Sequence, residues 1–482
     1  MKSKYYYRIL FIVLSLSVSS CASLRVEEIK KISNLPSKIQ TDSISAGKEY
    51  TKLELKDFFN DPNLLLLFQK IEKSNPEYQI MLQQMQIANA AYKKSKLAFF
   101  PEIDLSISGS GTRYGDYTME GVGNYDTNLS GNVNEKQRIN REVSPNLWLG
   151  AQVSWEIDIW GKIRNKKKAA QQRYFASKEG MTFMKNQLFT SVAQLYYQLV
   201  ALDKKLAIYQ ENQAIQQVAH EIVQAQRLAG KATELAVQQF GAQSERMKAE
   251  VELLKIEIEG LERSISELTG EYHSNIIRST TFHLNFHPFL NIQLAADSIL
   301  HQRPDVAASY HELLASHADA KAARAAFFPS LKIGAYGAMN SFSLASWFNP
   351  GSLAWQLLGG ITSPLFKQGQ LKYELFVANK EQEIAFLTYQ KNVINAYNEL
   401  SLLLNRTIRY QNIMNLKTQE IQFLDRAVDV SNSLYLTGYA NYWEIINSQK
   451  LKIQAEIDRV DIEFENANNA LLLYKALGGA MK

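Results

Sequence analysis

Residues 147–159 alternate without a break. Leu147, Leu149, Ala151, Val153, Trp155, Ile157 and Ile159 hold the odd positions, while Gln152, Ser154, Glu156 and Asp158 are polar even ones. A period of two kept over 13 residues predicts a strand with one apolar and one polar face. Ile103, Leu105 and Ile107, interleaved with Glu102, Asp104, Ser106 and Ser108, predict its hairpin partner. Leu331, Ile333 and Ala335 begin a third strand; Trp355, Leu357 and Ile361 mark a fourth. A half-buried strand of a soluble sheet alternates in the same way. Two features favour a membrane barrel instead. The alternating runs exceed the mean strand of about 5–6 residues. Aromatics also gather at their ends: Phe99, Phe100, Trp148, Trp160, Phe327, Phe328, Trp347, Phe348 and Phe366. Transmembrane strands need about 9–11 residues, with an apolar outer face and aromatic girdles. Four strands cannot close a barrel. A dimer would supply about eight and a trimer about twelve.

The pattern changes after residue 161. From Lys162 to Ala229 there is no proline, and at about 1.5 Å per residue a helix of that length spans roughly 100 Å. Leu188, Val192, Leu195, Leu199, Leu202, Leu206 and Tyr209 step by alternating four and three, a heptad seam. Ala396, Leu400, Leu403, Thr407, Tyr410 and Met414 continue the seam in a second copy. The two copies are a duplication. Gly161, Gly230 and Gly270 recur as Gly369, Gly438 and Gly478, each 208 residues later. Pro76 and Pro101 recur as Pro304 and Pro329 at an offset of 228. Each copy predicts helices of 25 and 38 residues running opposite to one of 68. Two short helices can therefore stack end to end along one long partner.

Composition adds the compartment. A basic stretch, Lys2 to Arg8, precedes ten residues, Ile9 to Val18, of apolar character. This is too short to span a bilayer and reads as a signal peptide. Cys21, the one cysteine, follows Val18-Ser19-Ser20 and resembles a lipobox, which implies a lipidated mature N-terminus at the outer membrane. No later apolar stretch suits a transmembrane helix. A net charge of +5 is too mild to argue for nucleic acid.

The ordered set Phe99-Phe100-Pro101, Trp160-Gly161, Arg227-Leu228-Ala229-Gly230, Arg303-Pro304-Asp305-Val306, Phe327-Phe328-Pro329 and Tyr435-Leu436-Thr437-Gly438 resembles the TolC-like outer-membrane efflux channels, especially the lipidated NodT-type members. The resemblance covers nearly the whole mature chain. It implies an α+β membrane protein. Each chain would give four transmembrane strands and long antiparallel tunnel helices, and a homotrimer would join a 12-stranded β-barrel to a 12-helix α-barrel. It implies a passive exit duct for drugs or other small molecules, fed by a proton-driven inner-membrane pump and a periplasmic adaptor. No enzyme activity and no cofactor follow, apart from the lipid on Cys21. The resemblance places a periplasmic gate at Tyr435, Glu444 and Asn447. It places the adaptor-contacting tips at Arg227, Leu228, Gly230, Lys231, Leu436, Gly438 and Tyr439. Asn447 stands where the family often has a second acid, so an acidic gate would rest on Glu444.

The implied division is a signal peptide at 1–20, a lipidated equatorial N-terminus at 21–75 and a first repeat at 76–271 with its hairpin at 102–160. An equatorial linker at 272–303 then leads to a second repeat at 304–482 with its hairpin at 330–366. The 114–144 segment reads as an external loop. Two rival readings are the outer channel of a type I protein-secretion system and a periplasmic coiled-coil adaptor or scaffold lipoprotein. His311 and His317 flank Glu312 but are spaced wrongly for a helical zinc site.

Overall fold

A computed structural model describes residues 25–30, 32, 36, 48–49, 55–140, 142–273, 275–284, 292–293, 302–364 and 366–479. The signal segment and Cys21 lie outside the described residues. Helix α1 (Pro62–Ser74) precedes the first repeat. That repeat comprises α2 (Pro76–Leu97), β1 (Glu102–Thr112), α3 (Met119–Leu129), β2 (Ser144–Ile157), α4 (Lys162–Leu228) and α5 (Glu234–Leu268). The second comprises α6 (Pro304–Ala325), β3 (Ser330–Ser341), β4 (Leu353–Thr362), α7 (Gln370–Leu436) and α8 (Tyr442–Ala476). The long helices α4 and α7 are 67 residues each, and their returning partners are 35 each. Among the described residues no helix is long and apolar enough to cross a membrane.

The chain forms two compact units. The first holds residues 88–174 and 312–386 together with residues 25–29. Its centre is an antiparallel sheet in the order β1-β2-β3-β4, in which β2 and β3 join the hairpins of the two repeats. The register sets Leu105 opposite Ala151, Ala151 opposite Gly337 and Gly337 opposite Trp355. Asp158 starts α4: its carboxylate accepts the N–H groups of Ile163 and Arg164 at 3.0 and 2.9 Å. At the strand ends Trp160 stacks on Phe328, centroids 4.9 Å apart, and donates to the Pro329 carbonyl at 2.8 Å. The stretch 25–30 is tied to this unit by Asn379 and Gln382, which donate to the carbonyls of Arg25 and Glu27.

The second unit holds residues 30–87, 175–311 and 387–482. Its core includes Phe58, Phe59, Phe68, Phe189 and Tyr474, with Phe68 stacked on Phe189 and Phe58 on Tyr474 at 4.3 Å each. Fully buried Asp61 caps α1 and accepts the Tyr196 hydroxyl at 2.7 Å. Burial pushes that phenol up to about 12. Arg278 grips Asp203 and Glu262, both at 2.5 Å, which raises its pKa above the usual value.

The short helices meet end to end in this unit. Asn75 caps α2 by accepting the Tyr78 N–H at 2.7 Å, and its amide donates to the Leu268 carbonyl at the end of α5 at 2.8 Å. In the second repeat Arg303 does the joining. It donates to the Ala476 carbonyl at 3.3 Å and pairs with Asp305 and Glu399 at 2.9 and 2.8 Å. Burial opposes the charge of Arg303, yet the two carboxylates prevail and its pKa is raised.

Three local differences separate this fold from the sequence pattern. The strands of the hairpins end at Ile157 and Thr362, short of residues 160 and 366. Helix α2 stops at Leu97, a few residues before Pro101. The 114–144 segment contains helix α3, capped by Thr118, whose hydroxyl accepts the Gly121 N–H at 3.1 Å.

Candidate functional site

The sheet separates its faces by residue parity. Odd positions carry Ile103, Leu105, Leu149, Val153, Leu331, Ile333, Leu357 and Ile361, one apolar surface. Leu105, Ile107, Trp355 and Leu357 are each at least 70% exposed, so at these positions the surface has no cover among the described residues. Even positions carry Glu102, Asp104, Ser106, Gln152, Asn340 and Gln356. Trp148 also stands on this polar face, at an even position well inside β2. It is not part of an end girdle. Its indole donates to Ser106 Oγ at 3.1 Å. The outer edges of β1 and β4 have no strand partner among the described residues. A lipid-facing sheet cannot leave such edges unpaired, because each bare backbone group would cost several kcal/mol there.

The second candidate region is the pair of helix tips. Both turns use one hydrogen-bond scheme. Gly230 N–H reaches the Arg227 carbonyl at 2.9 Å and Lys231 N–H reaches Gln226 at 2.8 Å. Gly438 and Tyr439 do the same to Tyr435 and Leu434, at 3.0 and 2.9 Å. This closing motif needs a left-handed residue, and φ is +71° at Gly230 and +79° at Gly438. Thr233 and Asn441 then cap the returning helices. Arg227 pairs with Glu234 on the surface, a contact worth little by itself.

The tips are fastened to one another. The Tyr435 hydroxyl donates to Gln226 Oε1 at 2.8 Å, which links α7 to α4. Beneath it lies an apolar cluster of Val223, Ala236, Val237, Phe240 and Ile446. A polar layer follows, in which Gln216 donates to Gln449 at 2.9 Å and Ser244 to Gln217 at 3.3 Å. Apolar packing then resumes at Met247, Ile453 and Ile457.

Of the residues singled out in the sequence, Leu228, Leu436 and Tyr439 are more than 80% exposed. Arg227, Gly230, Lys231 and Gly438 are exposed around them. Leu235 and Trp443 extend this apolar surface, at 60% and 56% exposure. Glu444 and Asn447 are exposed one turn apart on α8. Glu444 has a local task as well, since its carboxylate accepts the Asn441 N–H at 3.0 Å and completes a capping box. His317 bonds Gln382 at 3.1 Å, and burial lowers its pKa. No group of metal-binding side chains occurs among the described residues.

Two duplicated hairpins that share one amphipathic sheet, with long helices closed by glycine turns, are the build of outer-membrane channel proteins. The crystal structure of CusC superimposes with a TM-score of 0.81 at 23% identity, covering 94% of this chain and 99% of that one. The Campylobacter jejuni CmeC channel gives 0.79 at 21% identity, covering 95% and 94%. In sequence, the cation efflux system protein CusC of Escherichia coli K12 is 25% identical over 445 residues, 91% of this chain and 92% of that protein. The probable outer membrane lipoprotein SilC of Salmonella typhimurium is 24% identical over 474 residues, 96% of each. The sequence profile of the outer membrane efflux protein family matches residues 67–271 and 295–479, one span for each repeat. The chain belongs to that family. It is an efflux channel of the outer membrane and not an enzyme.

Proposed function

We propose that three copies of this chain close a twelve-stranded barrel that serves as a passive exit duct for small molecules. One observation carries the reading: a four-stranded sheet, apolar on one face and polar on the other, whose outer edges have no strand partner among the described residues. The edge of β4 would meet β1 of the next copy. The apolar face then lies against lipid and the polar face lines the pore. The exposed apolar tips suit a periplasmic adaptor, whose partner would be a proton-driven pump in the inner membrane. The Tyr435–Gln226 bond is a latch that holds the tips together. Three copies of Glu444 and Asn447 about an axis would form a ring that favours cations. A lipid on Cys21 would anchor the N-terminus to the outer membrane of a Gram-negative cell.

Cysteine pairing tests the closure. Cys21 is the only native cysteine, so the background is low. Leu105→Cys on β1 is combined with Trp355→Cys, Leu357→Cys or Ile361→Cys on β4, and membranes are oxidised. The proposal expects covalent species up to a trimer on denaturing gels. Crosslinking that stops at a dimer for every pair would refute a twelve-stranded barrel.

A further inference from the structure

Trp148 has no place in the lipid-facing surface or at the strand ends. On the polar face it meets Tyr336, centroids 5.1 Å apart and planes at 61°. The two rings meet edge to face, at a corner on the polar side of the sheet. Small residues make room for it. Gly150 and Ala338 pair between the rows that carry Trp148 and Tyr336, and both are buried. A Cβ on Gly150 would come within 2.3 Å of the Ala338 Cβ and 2.7 Å of the Gly337 carbonyl oxygen. The floor therefore admits no larger side chain. The indole is held by its bond to Ser106, 3.1 Å long. Across the same face the register runs Asp104, Gln152, Tyr336, Gln356. An exposed carboxylate thus lies two strands from the phenol, in a row of neutral hydrogen-bonding groups.

We propose that this corner is a stacking station for planar organic cations. Aromatic rings attract a cation over their faces, and here two rings inclined to one another share a sheet face with a carboxylate two strands away. Neutral solutes would gain the stacking alone, and anions would meet Asp104. The proposal rests on the reading that the polar face lines the pore, and each copy of the chain would contribute one such corner.

The test uses the full-length protein in detergent and ethidium as the probe, with binding read by fluorescence anisotropy. Wild-type protein should bind saturably. Trp148→Ala and Tyr336→Ala should each weaken binding about fivefold, the loss of one cation–aromatic contact. Trp148→Phe should restore part of it, and Asp104→Asn should reduce its salt dependence. Helix content and oligomer size, which a merely structural role would alter, should not change. Equal affinity in the wild type and both alanine variants would overturn the proposal, as would equal binding of the anionic dye fluorescein. Conductance of the same preparations separates the two readings. A protein that conducts while ignoring both rings refutes the station alone. One that binds ethidium through them but conducts nothing, in the wild type and in Tyr435→Phe alike, supports the station and refutes the duct.

Discussion

Replacing Gly270 by alanine should damage the helical unit more than the same change at Gly230, although both glycines have φ of +71°. An alanine Cβ at Gly230 would meet nothing within 4 Å. At Gly270 it would lie 2.3 Å from the Ser74 carbonyl oxygen and 2.8 Å from its carbon. The left-handed backbone costs about 1–2 kcal/mol at both sites. Only Gly270→Ala adds overlap with a main chain that cannot easily yield. Ser74 leads directly into Asn75, which is fixed by its bonds to Tyr78 and Leu268. Relieving the overlap should add about 1–3 kcal/mol, for a total near 2–5 kcal/mol against about 1–2 at Gly230. The second repeat is an internal replicate. Gly438 is open, while at Gly478 the Cβ would lie 2.9 Å from the Gln302 carbonyl oxygen. The predicted order of loss is Gly270, then Gly478, then Gly230 and Gly438 together. Urea titration of the helical circular-dichroism signal in detergent measures it. Equal losses at Gly230 and Gly270 would refute the close-approach argument.

Val153→Lys places a charge on the apolar face, between Ile103 and Ala335, at a cost of about 2–4 kcal/mol near the bilayer midplane. It should lower outer-membrane yield, while Gln152→Lys on the other face should not; equal yields would reverse the assignment of faces. Tyr435→Phe removes a hydrogen bond worth about 0.5–1.5 kcal/mol and should raise the open fraction in planar bilayers; an unchanged open fraction would remove the latch. His317 titrates below its ordinary value, chiefly through burial, with Lys321 and Lys168 acting in the same sense. As pH falls below about 6.5, the unfolded chain protonates this ring before the folded one does, so stability declines. His317→Asn should make the urea midpoint less sensitive between about pH 7.5 and 5.5; an unaltered slope would contradict this.

Much of the architecture was legible because it is periodic. Parity assigns 147–157 to two faces, and a left-handed helix stop leaves a glycine behind, so Gly230 and Gly438 mark the turns between long and returning helices from their spacing. Parity also carried information about Trp148 that its residue type obscured. Aromatic character suggested a girdle, but an even position had already placed it on the polar face. Helix α3 was hidden by Gly121 and Gly123, although Thr118 and Glu120 form an ordinary helix start. The sequence Asn441–Glu444 has the spacing of a capping box, so Glu444 has a local structural task besides its expected place at the gate. Leu235 and Trp443 carry no turn signal, because they lie in the first turns of the returning helices and not in the glycine turns. Tyr196 and Tyr197 were beyond sequence pattern. They lie between the seam positions Leu195 and Leu199 and are fully buried, and their hydroxyls reach Asp61 and the 275–284 segment. Such contacts come from distant parts of the chain, which no local period encodes.

Ion conductance of the purified full-length protein in a planar lipid bilayer tests the central claim most directly. The account predicts stepwise, uniform conductance from trimeric fractions, increased by Tyr435→Phe and less cation-selective in Glu444→Ala. Trimeric protein that inserts into the bilayer and passes no current, in the wild type and in Tyr435→Phe alike, would contradict it.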